Sequence, residues 1–482
     1  MTEPIKFELT TKIPDHIDQV LAPYFLGTEI DNSWIPGGVI GGFSGKHKEI
    51  YQLLIQEQQR EVFLLGLGQE HQLQGAYQTF RHFIVNEKTR IRSILLVDLR
   101  HLPESAIYQC VLGISLSDYS VGVYKTENDD SHLLRQVHLL INQKSNDFVN
   151  QINEAQHSSE VIKSACALVD APGNVKTPRY LAQWALESGK SHGYTVEILD
   201  HAALKQQNLH ALLAVGRGSE HQPVLIKVVY KHPDRDSTKI DLGLVGKGVT
   251  FDTGGLSLKK PANMHYMKSD MGGAAAVLGA IELIARLQLS INVAAIIPVT
   301  ENSVDSLSIR PGDVIQSHAG KSIEVIDTDA EGRLILADAL SYIQDNYHPD
   351  VLIDLATLTG SCVATLGYEA AGLFTNDNAL ADSISQAGDR TRERVWRLPL
   401  WESYQDALYS DIADVKNLSG KPVAGAITAA KFLEFFIKEK QKWAHLDIAG
   451  VAFGDTGHAK MKSATGYGVR LLVDFARSLI ST

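Results

Sequence analysis

Leu242-Gly-Leu-Val245-Gly-Lys247-Gly-Val-Thr-Phe-Asp252-Thr-Gly-Gly255 joins a short apolar run to a glycine-bounded loop that carries a lysine and an aspartate. A short apolar run closed by glycine reads as a buried strand. Similar runs recur at Val293 to Val299, Val351 to Leu355 and His445 to Ile448, with helical patterns between several of them. Strands alternating with helices predict a doubly wound sheet. In such sheets ligands bind beyond the carboxyl ends of the strands, which is where the Lys247–Asp252 loop falls.

Two chemistries compete for that loop. The Gly246-Lys247 pair invites a phosphate loop, but Asp241 stands where the motif needs its first glycine and Gly248 where it needs Ser or Thr. The phosphate reading fails. Asp329 and Glu331 are two residues apart, a spacing that diverges on a helix and shares a face on an extended segment. The sequence therefore predicts an extended segment here, with Arg333 on the same face and a helix over Leu334 to Tyr342.

Asp270 precedes Met271-Gly-Gly-Ala-Ala-Ala, the start of a helical pattern running to about Leu287, and by itself reads as an N-cap. Lys259 closes the glycine loop and by itself reads as a surface lysine. Ser257-Leu-Lys-Lys260 matches S-x-x-K, yet the companion motifs S-D-N and K-T-G are missing, so that match is accidental. The chain also lacks H-E-x-x-H and H-x-x-E-H. Four carboxylates in short glycine-bounded motifs remain, a hard-donor set suited to divalent cations, with a surface salt-bridge network as the alternative. Two dications would balance four carboxylates where one would not.

Outward from these motifs the chain is ordinary. A length of 482 residues exceeds one hydrophobic core, and 44% apolar with 21% charged residues is the balance of a globular protein. A net charge of −11 argues against a phosphate-binding surface, so nucleic acid is not expected as the main partner. Cys110, Cys166 and Cys362 are widely spaced, which points to a reducing, cytoplasmic location and three small buried side chains. The N-terminal sequence carries no secretion pattern, and no apolar stretch is long enough to span a bilayer.

Before residue 160, strand-like runs at Glu61 to Leu67 and Ile94 to Leu99 flank a helical pattern at Gln74 to Asn86. Gly66-Leu-Gly68 never completes a dinucleotide-binding fingerprint and reads as a strand-ending turn. A polar stretch, Asn142 to Glu160, precedes a helical run from Val161 to Val169. The expected architecture is α/β in two domains: a smaller N-terminal α/β domain over 1–158, and a larger C-terminal α/β domain over 159–482 with a central mixed, mostly parallel sheet.

Taken in order, several motifs resemble the leucyl aminopeptidase (cytosol aminopeptidase) family. The carriers, within roughly 160–475, are Gly246-Lys-Gly-Val-Thr-Phe-Asp-Thr-Gly-Gly, Lys268-Ser-Asp-Met-Gly-Gly, Ile309-Arg-Pro-Gly-Asp-Val, Asp327-Thr-Asp-Ala-Glu-Gly-Arg-Leu, Asp354-Leu-Ala-Thr-Leu-Thr-Gly, Ser410-Asp-Ile-Ala-Asp, Gly425-Ala-Ile-Thr-Ala-Ala and His445-Leu-Asp-Ile-Ala-Gly. The resemblance implies a catalytic dinuclear-metal domain, with one metal on Lys247, Asp252, Asp270 and Glu331 and the other on Asp252, Asp329 and Glu331. Mn²⁺ or Zn²⁺ is the expected metal, with Mg²⁺ and Co²⁺ as alternatives.

It further implies hydrolysis of the N-terminal residue, Leu or another apolar residue, from peptides by a water that the two metals activate. Lys259 would stabilise the oxyanion, Arg333 would hold a bicarbonate, and Met267, Thr357, Leu358, Gly360 and Ala449 would receive the substrate. Relatives form homohexamers, so the same assembly is expected, with no membrane partner. A cysteinylglycine-type dipeptidase and an added DNA-binding regulatory role are the alternatives. Asp327 stands where the family usually has Asn.

Overall fold

The computed structural model describes residues 4–30, 34, 41–55, 59–126, 134–457 and 459–480. It divides into two compact units, Met1–Lys163 with Gly457–Lys460, and Ser164–Thr456 with Met461–Thr482.

In the first unit the strands are β1 (Lys6–Thr10), β2 (Gln19–Phe25), β3 (Ile50–Ile55), β4 (Arg60–Gly68), β5 (Ile94–Asp98) and β6 (Gln136–Leu140). They form one sheet in the order β1-β6-β5-β2-β4-β3, parallel except for the β3–β4 pair. Helices α1 (Ala76–Asn86) and α2 (Ala106–Leu116) pack on each other and bury Phe80, Phe83, Val111 and Ile114. The runs expected as strands at 61–67 and 94–99 are β4 and β5, and Gly66-Leu-Gly68 does end a strand. The polar stretch from Asn142 and the helical run after it do not separate: nearly all of both lies in one helix, α3 (Asn146–Asp170). Its polar residues lie both outward and, at Ser158 and Ser159, in the interior, so composition alone did not mark its start.

The second unit holds the larger sheet. Its strands are β7 (Thr195–Leu199), β8 (Val224–Tyr230), β9 (Leu242–Gly246), β10 (Gly248–Asp252), β11 (Val293–Asn302), β14 (Val351–Ala356), β15 (Ala371–Thr375), β16 (Val395–Arg397) and β18 (Lys442–Asp447). Short pairs β12 (Val314–Gln316), β13 (Ser322–Glu324), β17 (Val415–Lys416), β19 (Phe453–Gly454) and β20 (Ser463–Ala464) stand apart. The helices are α4 (Pro178–His192), α5 (His201–Gln206), α6 (His210–Val215), α7 (Gly272–Arg286), α8 (Gly332–Asn346), α9 (Gly360–Leu366), α10 (Asn378–Thr391), α11 (Gly425–Glu434) and α12 (Val469–Ile480).

The large sheet runs β16-β15-β18-β14-β9-β11-β8-β7. Its centre, β18-β14-β9-β11, is parallel, while β7–β8, β8–β11 and β15–β18 are antiparallel, so the sheet is mixed and its parallel part is central. The central strands are buried on both faces, as continuous apolar runs require. Leu334, Leu336 and Ile343 of α8 join Val245, Leu352, Phe432 and Trp443 in one core cluster. Each such fully buried side chain contributes about 1.5–3 kcal/mol. All three cysteines are buried. Among the described residues no helix is long and apolar enough to cross a membrane.

Candidate metal centre and active site

The four expected strands of the second unit deliver their following residues to one edge. Lys247 falls between β9 and β10, both of which pair parallel with β11. Its backbone is fixed on either side: its N–H donates to the Leu355 carbonyl at 3.0 Å, and its own carbonyl accepts from Ala274 at 2.9 Å. The side chain is thus aimed past the strand ends. Gly332 makes room for it, since a Cβ there would lie 2.6 Å from Lys247 Nζ.

Lys247 Nζ lies 2.8 Å from both Asp270 Oδ2 and Glu331 Oε1, and donates to the Thr357 carbonyl at 3.0 Å. Lys259 Nζ lies 2.8 Å from Asp252 Oδ2 and also contacts Asp329 Oδ1. Asp252, Asp329 and Glu331 offer carboxylate oxygens within 4.8 Å of one another. The structure therefore brings Lys247, Asp252, Lys259, Asp270, Asp329 and Glu331 together.

Two sequence expectations are corrected here. The Asp327–Glu331 segment is not extended: residues 328–329 form a turn, and Glu331 has helical backbone angles (φ −75°, ψ −36°) as the residue preceding α8. The turn is closed by Asp327, whose Oδ1 accepts from Asp329 N–H at 2.8 Å and whose carbonyl accepts from Ala330 N–H. Two carboxylates two residues apart converge through this turn rather than through a strand face. Asp270 is not a helix cap either. Met271 holds the cap position of α7 without side-chain capping, and Asp270 Oδ1 accepts the Thr357 hydroxyl at 2.7 Å.

Burial sets the electrostatics. Asp252 is pushed up to about 6 by burial and by Glu331, against Lys259 and Lys247. Burial also raises Asp270 and Asp329. Glu331 is lowered: burial pushes it up, but Lys247 and Lys259 outweigh that. Lys247 and Lys259 are raised, because the carboxylates around them overcome the cost of burial. Four carboxylates share two ammonium groups, which leaves the cluster short of positive charge.

The donor set fits divalent cations. Asp270 Oδ2, Asp329 Oδ1 and Glu331 Oε1 are buried with a lysine nitrogen beside each, and Glu331 Oε2 is buried with no hydrogen-bond partner among the described residues. Buried acceptors left this way are costly unless a cation meets them. Arg333, pulled down to about 10 by burial, donates Nη1–H to the Asn417 carbonyl at 2.8 Å, while its buried Nε has no partner among the described residues.

Of the expected substrate residues, Thr357 and Leu358 follow β14, Gly360 opens α9 and Ala449 follows β18. Met267 lies in the single-turn helix Met264–Ser269 and accepts a hydrogen bond from Asp270 N–H. Gly360 borders open space: a Cβ there would meet nothing within 4 Å.

Sequence reasoning missed several supporting residues. Asn302 Nδ2 donates to Asp252 Oδ1 at 2.8 Å and to the Thr328 carbonyl at 3.0 Å. Thr328 donates to the Gly254 carbonyl and exchanges hydrogen bonds with Ser257, which gives the accidental S-x-x-K serine a structural task. Asn417 grips the same turn through Ile326 N–H, Asp327 N–H and the Asp327 carbonyl. Asn302 was findable, since it ends a central strand at the same edge as Lys247. Asn417 arrives from a distant segment and carried no local signal.

Fold and site together define a class: a mixed α/β sheet whose central parallel strands end in a lysine-bearing, oxygen-rich cluster with donors suited to a divalent cation. Residues 163–473 match the cytosol aminopeptidase family, catalytic domain, and the chain belongs to that family. It is 51% identical over 310 residues to a probable cytosol aminopeptidase of Chlorobium limicola, which is 64% of this chain and 61% of that relative. That match thus spans less than two thirds of the relative's length. A probable cytosol aminopeptidase of Chloroherpeton thalassium is 38% identical over 442 residues, 87% of this chain and 86% of the relative. Among solved structures, the bottromycin maturation enzyme BotP in complex with Mn superposes with a TM-score of 0.84 at 30% identity, covering 96% of this chain and 99% of that one.

Proposed function

We propose that the chain is a metal-dependent aminopeptidase that removes the N-terminal residue of peptides, with a preference for Leu or another apolar residue. The observation that carries this reading is the convergence of four carboxylates, Asp252, Asp270, Asp329 and Glu331, on only two ammonium groups, those of Lys247 and Lys259. Family membership and the Mn complex of BotP support it.

In this reading Lys247, Asp252, Asp270 and Glu331 hold one divalent cation and Asp252, Asp329 and Glu331 the other. Such a pair, when bound, polarises the scissile carbonyl and makes a water nucleophilic at neutral pH. Lys247 serves as a neutral amine, which its present carboxylate neighbours permit only once cations offset their charge. Lys259, beside Asp252 and Asp329, donates to the oxygen on which negative charge develops. Arg333, whose buried Nε–H has no partner among the described residues, would hold a bicarbonate, which would supply a base. Met267, Thr357, Gly360 and Ala449 line the pocket for the first side chain while the Leu358 backbone positions the peptide, and the open space at Gly360 leaves room for an apolar side chain. Homohexameric assembly and cytosolic location belong to the same reading; sedimentation velocity checks the first.

The decisive experiment strips the protein with a chelator and restores Mn²⁺, Zn²⁺ or Co²⁺ while leucine anilide cleavage is followed. Activity that survives complete metal removal would end the reading. A parallel panel of dipeptides separates broad aminopeptidase activity from a cysteinylglycine-type dipeptidase.

A further inference from the structure

Asp447 closes β18 and is 1% exposed, yet no function has been given to its carboxylate. Its Oδ1 accepts three backbone N–H groups, those of Leu358 (3.2 Å), Thr359 (3.4 Å) and Ala449 (3.2 Å). Its Oδ2 accepts the Thr359 hydroxyl at 2.6 Å, and its carbonyl accepts Cys362 Sγ–H at 3.6 Å. Leu358 and Ala449 belong to different loops, one after β14 and one after β18, and a single side chain ties them together.

The tie reaches the metal cluster. The peptide unit between Thr357 and Leu358 is trans, so its C=O and N–H point in opposite directions. The C=O accepts from Lys247 Nζ at 3.0 Å and the N–H donates to Asp447, so the plane is held at both ends and cannot turn. The second loop is equally close-packed, since a Cβ at Gly450 would lie 2.2 Å from the Gly367 carbonyl. Of the residues thus fixed, the aminopeptidase reading places Thr357 and Ala449 around the substrate's first side chain and gives the Leu358 backbone the positioning of the peptide.

We propose that Asp447 is the positioning residue that sets the shape of the pocket for that first side chain, by holding the Thr357–Leu358 peptide and the Ala449 wall at a fixed separation. This rests on the aminopeptidase reading above. A carboxylate suits the task because one oxygen can accept several N–H groups at once. It touches neither substrate nor metal, so its removal alters selectivity and KM more than the chemical step.

The test compares kcat and KM for Leu, Met and Ala anilides in Mn²⁺-loaded wild type, Asp447→Ala, Asp447→Asn and Thr359→Val. In Asp447→Ala the Leu-over-Ala ratio of kcat/KM is expected to fall about tenfold, the scale of one misfitted methylene or more, mainly through KM. Asp447→Asn is expected to restore the ratio to within about threefold, because its amide oxygen can still accept the backbone N–H groups while the Thr359 hydroxyl reverses to accept from the NH₂. Thr359→Val keeps the N–H bonds to Asp447 Oδ1 but removes the hydroxyl that bonds Oδ2 and also caps α9 through Cys362 N–H at 3.0 Å; it is expected to give an intermediate ratio and serves if Asp447→Ala does not fold. A folded Asp447→Ala with wild-type ratio and KM would overturn the proposal, as would a wild-type ratio in Thr359→Val where Asp447→Ala is lost. Wild type that cleaves none of the anilides would instead remove the aminopeptidase reading, and this proposal with it.

Discussion

Asp98 closes β5 in the first unit and Glu331 precedes α8 in the second, and both carboxylates are almost wholly buried. They differ in what meets their oxygens. Asp98 accepts Trp34 Nε1–H at 2.7 Å, Arg100 Nη2–H at 2.7 Å and Arg100 Nε–H at 2.9 Å, so both its oxygens are occupied. Asp354 in the second unit repeats the pattern, with Trp443 Nε1 at 2.7 Å and His445 Nδ1 at 2.6 Å. Glu331 has Lys247 beside Oε1, other carboxylates close by, and no hydrogen-bond partner at Oε2 among the described residues. A buried acid finished by protein donors is architecture, whereas one left open at strand ends is prepared for a cation.

The sharpest way to break this contrast is Lys247→Arg. Arginine keeps the charge beside Asp270 and Glu331 but cannot become a neutral ligand. Cleavage of leucine anilide in saturating Mn²⁺ should fall by more than the roughly 10–100-fold that loss of an outer partner costs. An Lys247→Arg protein with wild-type turnover would show that the lysine is a structural ion pair like Arg100.

Asp98→Ala probes the other side. It removes the acceptor of the buried Trp34 Nε1–H and of two Arg100 donors, and should cost about 1–3 kcal/mol of the first unit's stability in a denaturant titration. Turnover per folded molecule should stay at the wild-type level, because no oxygen there awaits a cation. Between these extremes stands Asn302→Ala, which frees Asp252 Oδ1 from its 2.8 Å donor while leaving every carboxylate in place. Metal affinity, measured by calorimetry, should weaken by about 10–100-fold; an unchanged affinity would place Asn302 among purely structural residues.

The chain announced the parts of this contrast unequally. The central strands were legible because strands buried on both faces are continuous apolar runs, and Leu242–Gly246, Val293–Asn302 and Val351–Ala356 begin where those runs begin. The antiparallel margin β7–β8 was not foreseen, since half-buried runs such as Thr195–Leu199 carry little apolar signal. Lys247 and Asp252 could be placed by the strand-end rule. Asp329 and Glu331 were found for a reason that failed, an extended segment, because the turn that joins them is shaped by Asp327 and Asn417, and a contact across about 90 residues leaves no local pattern. Asp447 was hidden for the same reason: its partners lie in another loop.

Lys176 sharpens the comparison from the cationic side, with the smallest expected effect. Like Lys247 it is buried, but its Nζ donates only to carbonyls, to Val169 at 2.8 Å and to Lys268. Burial, with help from Lys268 and against Asp170 and Asp270, therefore pulls it down to about 7, whereas carboxylates raise Lys247. The sign of the consequence follows. As pH rises from about 7 toward the ordinary lysine value of 10.5, the folded chain has already released this proton while the unfolded chain still holds it, so stability increases with pH across that window. The gain between neutral pH and about pH 9 is on the order of 1–2 kcal/mol. Equilibrium unfolding at several pH values should show this slope in wild type and lose it in Lys176→Met, which keeps the length of the side chain without the amine. An identical slope in both proteins would mean that the carbonyls of Val169 and Lys268 hold Lys176 charged, and that a buried lysine in this fold does not need a carboxylate to remain an ammonium.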